Sequence, residues 1–347
     1  MSKMPSITGQ DQSDIFTGTS TPSAELKDAR SVKGTPSAAL PAFVLGEELA
    51  ALADHDPRIA VLTADLASAN RTIDFKARHP ERFFDFGIAE KNMITAAAGM
   101  AASGMIPFAA TFASFCALLG AEQIRTDCAY PRMPVRVIGH HSGISMGFYG
   151  SSHHATEDLG MMRTIAELTV VCAADANALR AVLRASLDRA GAMYIRLGRG
   201  RDPEVYPEVP ADFSFGRAIR LRHGRDLTIL ATGTEVRPAL DAADALDAAG
   251  IAARIVDMHT IKPLDEAEVL AAAAETGAIL TVEEHNIIGG LGSAVAEVLA
   301  GRSPVKFRRH GVPDTFAPVG PPPALYAHYR LDAAGIAGVA RELLASA

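Results

Sequence analysis

An acid, two phenylalanines, two histidine pairs and an arginine stand where side chains could do chemistry together. Glu90 opens a helical pattern in GIAEKNMI. Taken alone, an acid at a helix start is a surface residue that offsets the helix dipole. Phe112 and Phe115, in TFASF, are on their own ordinary core residues. His140-His141 and His153-His154 bracket the stretch SGISMGFYGSS. Four histidines in two clusters raise zinc, but neither pair has the accompanying acid or thiolate pattern of a zinc site, so no metal ligand is assigned. Arg199 ends an apolar run in AMYIRLGRGRD. A guanidinium there can grip a phosphate through two parallel hydrogen bonds, or it is a solvated surface arginine. Asp65 and Ser68 lie just past the apolar run IAVLTADL. Ligands bind at that end of strands in open α/β sheets; Ser68 could equally cap the next helix.

The elements that must position these residues follow from the apolar pattern. Residues 83–86 read as a short aromatic strand, with Gly87 as a turn. From Ile88 the pattern is helical, Ile88, Met93 or Ile94, Ala97 and Met100 sharing a face. The small residues from Ala96 to Ala102 allow close approach to another backbone. A strand is expected from near Pro107 to Phe115. A helix is expected over 116–129, with Leu118, Leu119, Ile124 and Ala129 inward. VRVIGHH, LTVVCAA (168–174) and MYIRL read as strands, and 177–189 as a helix. Strand alternation puts Arg196 on the face opposite Arg199. Residues 202–225 are Pro-rich, then basic, and read as a linker. From Asp226 the chain repeats α/β units: strands DLTILATG, IAARIVDM, ILTVEEH and PVKFRRHGV, with helices at 234–248, after GGLG, and at 333–344. HTIKPLD reads as a loop, with Asp265 starting a helix. The fold class expected is α/β, two domains, each a mostly parallel sheet flanked by helices.

A chain of 347 residues exceeds one compact core, so two domains are expected. The net charge of −7 argues against a nucleic-acid surface. Cys116, Cys128 and Cys172 form no CxxC pair and no metal spacing, which fits reduced thiols in the cytoplasm. No run of about 18 apolar residues predicts a membrane span. The first 36 residues are polar, lack the apolar core of a signal peptide and read as a flexible tail. The boundaries expected are 1–36 tail, 37–201 first domain, 202–225 linker and 226–347 second domain.

GIAEKNMI, then G-x-x-x-G-x-x-PF, then TFASF, resembles the pyrimidine-binding domain of thiamine-diphosphate enzymes. The transketolase family, in its two-chain form, is the best match, from about residue 37 onward. HTIKPLD and EEHNIIGGLGSAVAE resemble the C-terminal domain of transketolases and of 2-oxo-acid dehydrogenase beta subunits. GGLG is no dinucleotide fingerprint, because it lacks the G-x-G-x-x-G order after a first strand.

The resemblance implies roles. Glu90, catalytic and cofactor-binding, would hydrogen-bond the cofactor's aminopyrimidine and favour the tautomer whose exocyclic nitrogen removes a proton from the thiazolium ring. Phe112 and Phe115 would contact the pyrimidine, and Asp65 is placed with them as cofactor-binding. Ser68, His141, His153, Tyr149 and Arg199 would bind substrate, His153 also being catalytic, and His154 takes a place usually held by Gln. Thiamine diphosphate would be the cofactor, with Mg²⁺. The family's GDG motif for the Mg²⁺-diphosphate is absent from the sequence. An N-terminal transketolase subunit would therefore supply that half, in a heterotetramer of two plus two chains acting on a sugar phosphate. Two positions depart from the family. Tyr149 replaces an aspartate that reads an acceptor hydroxyl, and SAALPAF lacks an arginine found at the first helix. A non-standard ketose phosphate is thus expected. The other readings are a 2-oxo-acid dehydrogenase beta-type or deoxyxylulose-phosphate synthase-like enzyme, and a non-catalytic regulatory subunit.

Overall fold

The computed structural model describes residues 44–199 and 202–346. The tail expected over 1–36 and the start of the helix expected from 38 lie outside the described residues. Among the described residues no helix is long and apolar enough to cross a membrane.

The first sheet grows from mostly apolar runs, as expected of strands covered on both faces. These are β1 (Ile59–Thr63), β2 (Phe83–Asp85), β3 (Ile106–Phe112), β4 (Arg136–His140), β5 (Thr169–Cys172) and β6 (Met193–Arg196). β1, β3 and β4 are buried along their whole length. With β10 (Thr260–Lys262) from later in the chain, the spatial order is β10-β5-β6-β4-β3-β1-β2, and strands β1 to β6 pair in parallel. Helices α1 (Val44–Ala53), α2 (Ile73–Arg78), α3 (Glu90–Ala102), α4 (Ala113–Leu118), α5 (Asp158–Thr164) and α6 (Ala176–Ser186) accompany it. Asp175 caps α6 by accepting from the Ala178 amide at 2.8 Å.

The second sheet has order β12-β11-β8-β9-β7. Its strands are β7 (Ile219–Arg222), β8 (Leu227–Ala231), β9 (Ala253–Asp257), β11 (Ala278–Asn286) and β12 (Lys306–Val312). All pairs are parallel except β7 with β9. The helices are α7 (Val236–Asp247), α8 (Glu266–Thr276), α9 (Leu291–Leu299), α10 (Pro322–His328) and α11 (Ala333–Ala345). Asp265 caps α8, as its sequence position predicts.

Several elements differ from the sequence reading. HTIKPLD is not only a loop: Thr260–Lys262 form β10, antiparallel to β5 on the edge of the first sheet. The Cys172 amide donates to His259 O at 2.7 Å there. The expected linker contains β7, which pairs with β9. β3 ends at Phe112, so Phe115 sits on α4 rather than on the strand. The helix expected over 116–129 begins earlier and breaks. After α4, Ala121–Gln123 lead into a π-helical turn, Ile124–Ala129. Gly120 packs so closely on Ile94 that a Cβ would lie 2.3 Å from Ile94 Cδ1. Ile124 and Ala129 are buried as expected, but Leu118 and Leu119 are exposed. α3 starts at Glu90, which leaves Ile88 84% exposed. Of the small residues of α3, Ala97, Ala98 and Ala101 are buried in the core, whereas Gly99 is exposed and a Cβ there would meet nothing within 4 Å.

Candidate active site

Parallel pairing puts the C-terminal ends of β2, β1, β3, β4 and β6 side by side. Each is followed by a residue singled out from sequence. Glu90 follows β2, Asp65 and Ser68 follow β1, Phe112 ends β3, His140 and His141 straddle the end of β4, and Arg199 follows β6. Strand register fixes some of this: Phe112 is level with His140, and Gly139 with Arg196. The turn before Glu90 is tied to β1 through Asp85. Its Oδ1 accepts from the amides of Asp65 at 2.9 Å and Gly87 at 3.0 Å.

Glu90 is 5% exposed at the first position of α3. Its carboxylate has no hydrogen-bond or ion-pair partner among the described residues. Its oxygens are not among the fully buried unpartnered atoms, so they reach the open end of the sheet and are available to a ligand.

Phe112 anchors an aromatic cluster. Its ring lies 5.4 Å from Phe115, 5.0 Å from His140, 5.0 Å from His141 and 5.8 Å from His153. Phe115 is 5.3 Å from His153, and Tyr149 is 4.9 Å from it. The structure thus brings His141, His153, Tyr149, Phe112 and Phe115 together, although the outermost two lie 41 positions apart in sequence.

The histidines are buried to different degrees, and burial sets their charge. Imidazolium loses water's stabilisation on burial, so its pKa falls. His140 is pushed well below its ordinary value by burial and then by His141. His141 falls to about 4 through burial and the nearby Arg199 cation. Burial lowers His153 and His154 as well. Near neutral pH all four are therefore uncharged, fit to donate and accept hydrogen bonds. His140 Nδ1 and His141 Nδ1 are 2.6 Å apart, so one of these two atoms carries the proton. His140 Nε2 and both ring nitrogens of His154 are buried without a partner.

His140, His141, Asn70, Asp175 and Arg199 line one cleft, with Val44, Leu45 and Leu179 supplying apolar wall. Asn70 is engaged internally, with Thr63, Ala110 and Thr72 as partners. Asp175 accepts from the amides of Ala178, Val205 and Tyr206. Of these polar side chains, His140 through Nε2, His141 and the exposed Arg199 are left to meet a ligand; the carboxylate of Asp202 also lines the cleft. An uncharged donor–acceptor beside a guanidinium suits a phosphate with adjoining hydroxyls.

Ser68 and Asp65 are exposed and do not line that cleft. Ser68 is not a helix cap either, because α2 starts at Ile73 with Thr72 at the capping position.

Sequence reading missed Arg196. It is 2% exposed, pairs with Asp158 through Nε at 2.7 Å, and donates through Nη2 to Ala155 O at 3.1 Å and Glu284 O at 2.9 Å. It thereby holds the histidine loop from behind. The acids Glu283 and Glu284 in ILTVEEH also lie within a strand read as buried. Both are fully buried.

Comparison with known proteins gives two family matches. Residues 42–203 match the transketolase pyrimidine binding domain, and residues 216–336 the transketolase C-terminal domain. The chain is 41% identical over 295 residues to a "putative transketolase C-terminal section" of Methanocaldococcus jannaschii, covering 84% of this chain and 92% of that one. It is 41% identical over 291 residues to a "6-deoxy-6-sulfo-D-fructose transketolase subunit" of a Clostridium species, covering 84% and 90%. Among solved structures, a "split gene transketolase, inactive beta4 tetramer" superposes with a TM-score of 0.81 at 42% identity, over 87% of this chain and 97% of that one.

Proposed function

The chain belongs to the transketolase family, and from that premise we propose that it is the C-terminal subunit of a two-chain transketolase. In this reading it moves a two-carbon ketol unit from a ketose phosphate to an acceptor. Residues 37–201 form the pyrimidine-binding half and 226–347 the C-terminal domain.

Glu90 carries the proposal. A buried, partnerless carboxylate at the sheet edge that holds the aromatic and histidine cluster fits the aminopyrimidine end of thiamine diphosphate. When bound, the cofactor supplies the carbon nucleophile that takes up the ketol unit. Glu90 holds the proton at the ring nitrogen. Phe112 and Phe115 offer apolar surface to the ring, with Asp65 at the next strand end. His141 and His153, both uncharged, orient the donor's hydroxyls, and His153 also moves a proton at them. Arg199 grips the terminal phosphate, with Ser68 at the rim. The Mg²⁺-diphosphate grip comes from an N-terminal partner subunit, a reading supported by relatives named as a transketolase C-terminal section and a transketolase subunit, and the working unit is two plus two chains.

Tyr149 sets the sugar preference. It is 61% exposed and lies against His153. A phenol is bulkier than a carboxylate and can donate as well as accept. The hydroxyl that an aspartate would read is no longer enforced, so the preferred ketose is not the standard one. A relative named for a sulfonated fructose supports this direction.

The test is a substrate panel on the chain reconstituted with its GDG-bearing partner. Two-carbon transfer should be weak with xylulose 5-phosphate and ribose 5-phosphate, and stronger with a differently substituted ketose phosphate. If the standard pair wins by a wide margin, the altered specificity is wrong. If pyruvate decarboxylation appears instead, the transketolase reading is wrong.

A further inference from the structure

The residues assigned to substrate and cofactor all precede residue 200, yet the end of β11 is packed against the loop that carries the histidines. The Asn286 amide donates to Thr156 O at 2.8 Å. His285 Nε2 accepts from the Gly160 amide at 3.2 Å. Glu284 does more than either. Its carboxylate collects three donors from three separate segments. Oε1 accepts from the Ile144 amide in the histidine loop at 2.8 Å and from Tyr326 OH on α10 at 2.6 Å. Oε2 accepts from Thr234 Oγ1, ahead of α7, at 2.9 Å. Glu284 is 1% exposed.

The loop backbone lies directly on this carboxyl group. Gly143 has φ +61°, and a Cβ there would sit 2.1 Å from Glu284 Cδ. Gly143 and Ala155 exchange two backbone hydrogen bonds, at 3.2 and 2.8 Å. His141 lies two residues before Gly143, and His153 two residues before Ala155. Fixing Ile144 against Glu284 therefore fixes the base of the loop from which both histidines project. Buried groups with satisfied bonds hold one geometry, and small displacements of reacting groups cost large factors in rate.

We propose that Glu284 is a positioning residue, through which the second domain sets the loop bearing His141 and His153. The inference rests on the reading of that loop as substrate-binding. Glu284 acts as a hydrogen-bond acceptor rather than as a charge. Glutamine can take over: its Oε1 can accept from Ile144 and Tyr326, and its amide can donate to Thr234 Oγ1.

The experiment uses the full chain in complex with its partner subunit, with Glu284→Ala, Glu284→Met and Glu284→Gln. Met fills the space but replaces none of the three hydrogen bonds, which covers the case of an unfolded Ala variant. Tyr326→Phe removes a donor that is not on the loop. Amide exchange of residues 142–156 is read against that of β8 and β9, together with kcat and KM for the donor. In the Ala and Met variants loop exchange should rise about tenfold or more relative to β8 and β9, the scale of a lost buried bond. Donor kcat/KM should fall at least tenfold. Gln should restore both, and Tyr326→Phe should leave relative loop exchange unchanged. Loop exchange that stays level with β8 and β9 in the Ala or Met variant overturns the proposal, as does a Gln variant as impaired as Met. Faster loop exchange in the Ala and Met variants, with a wild-type complex that transfers no two-carbon unit, would leave the coupling standing and remove the functional reading instead.

Discussion

Glu90 makes no side-chain hydrogen bond among the described residues and sits at 5% exposure, so its carboxylate is better explained by a ligand than by stability. A partly desolvated carboxylate with no protein partner adds little to folding. Glu90→Gln should therefore leave the melting temperature unchanged or raised, while turnover of the reconstituted enzyme drops by about 10²-fold or more, the range for loss of a proton-transfer group. Turnover within a few-fold of wild type would show that Glu90 does not handle the cofactor's proton. Arg199 is argued the same way. With His141 held uncharged down to about pH 4, the guanidinium is the cation facing the cleft beside it. Arg199→Ala should raise KM for a phosphorylated donor by about 10- to 100-fold more than for its unphosphorylated analogue. Equal effects on the two substrates would mean that Arg199 does not read phosphate.

At the scale of elements, the end of β9 stores a pH dependence. Asp257 is fully buried, takes one hydrogen bond from Tyr206 OH at 2.7 Å, and leaves Oδ1 without a partner. Burial raises its pKa from 3.8 to about 7; the Tyr206 bond opposes that, and Asp175 adds to it. The folded state thus binds this proton more tightly than the unfolded chain. Its contribution is complete below the unfolded value and is lost as pH rises toward 7. Asp257→Asn cannot ionise and keeps an acceptor for Tyr206. Its stability relative to wild type should grow by on the order of 4 kcal/mol between about pH 4 and pH 8. Denaturant unfolding at several pH values checks this, and a flat difference would refute it. The same elements show what sequence could reveal. β1, β3, β4, β8 and β9 are covered on both faces, so each is a continuous apolar run. Glu90, Phe112 and the His140-His141 pair were legible because each lies in a short motif at a strand end. β7 and β10 were not, since pairing with β9 and β5 creates them rather than local pattern. Arg196 was placed on the opposite face from the site, yet its Asp158 partner stands 38 positions away and the pair braces the histidine loop. Leu118 and Leu119 read as core because the break at Gly120 depends on a contact with Ile94.

For the whole molecule, the two sheets are joined by more than a linker. β10 extends the first sheet, Lys262 Nζ donates to the carbonyls of Arg163 and Ile165 at 3.1 and 2.5 Å, and Arg163 pairs with Glu297. The second domain is thus bonded directly to the first at several points, which is what the role argued for Glu284 requires. The central claim is that this chain holds the pyrimidine end of a thiamine-diphosphate site and needs a partner for the diphosphate end. Exposed Ile88, two residues ahead of Glu90, fits a surface that another chain completes. The direct measurement is a calorimetric titration of thiamine diphosphate and Mg²⁺ into the purified chain, repeated with the GDG-bearing partner present. The account predicts no micromolar binding to the chain alone and tight binding to the mixture, abolished or strongly weakened by Glu90→Gln. Micromolar binding to the chain alone would contradict it.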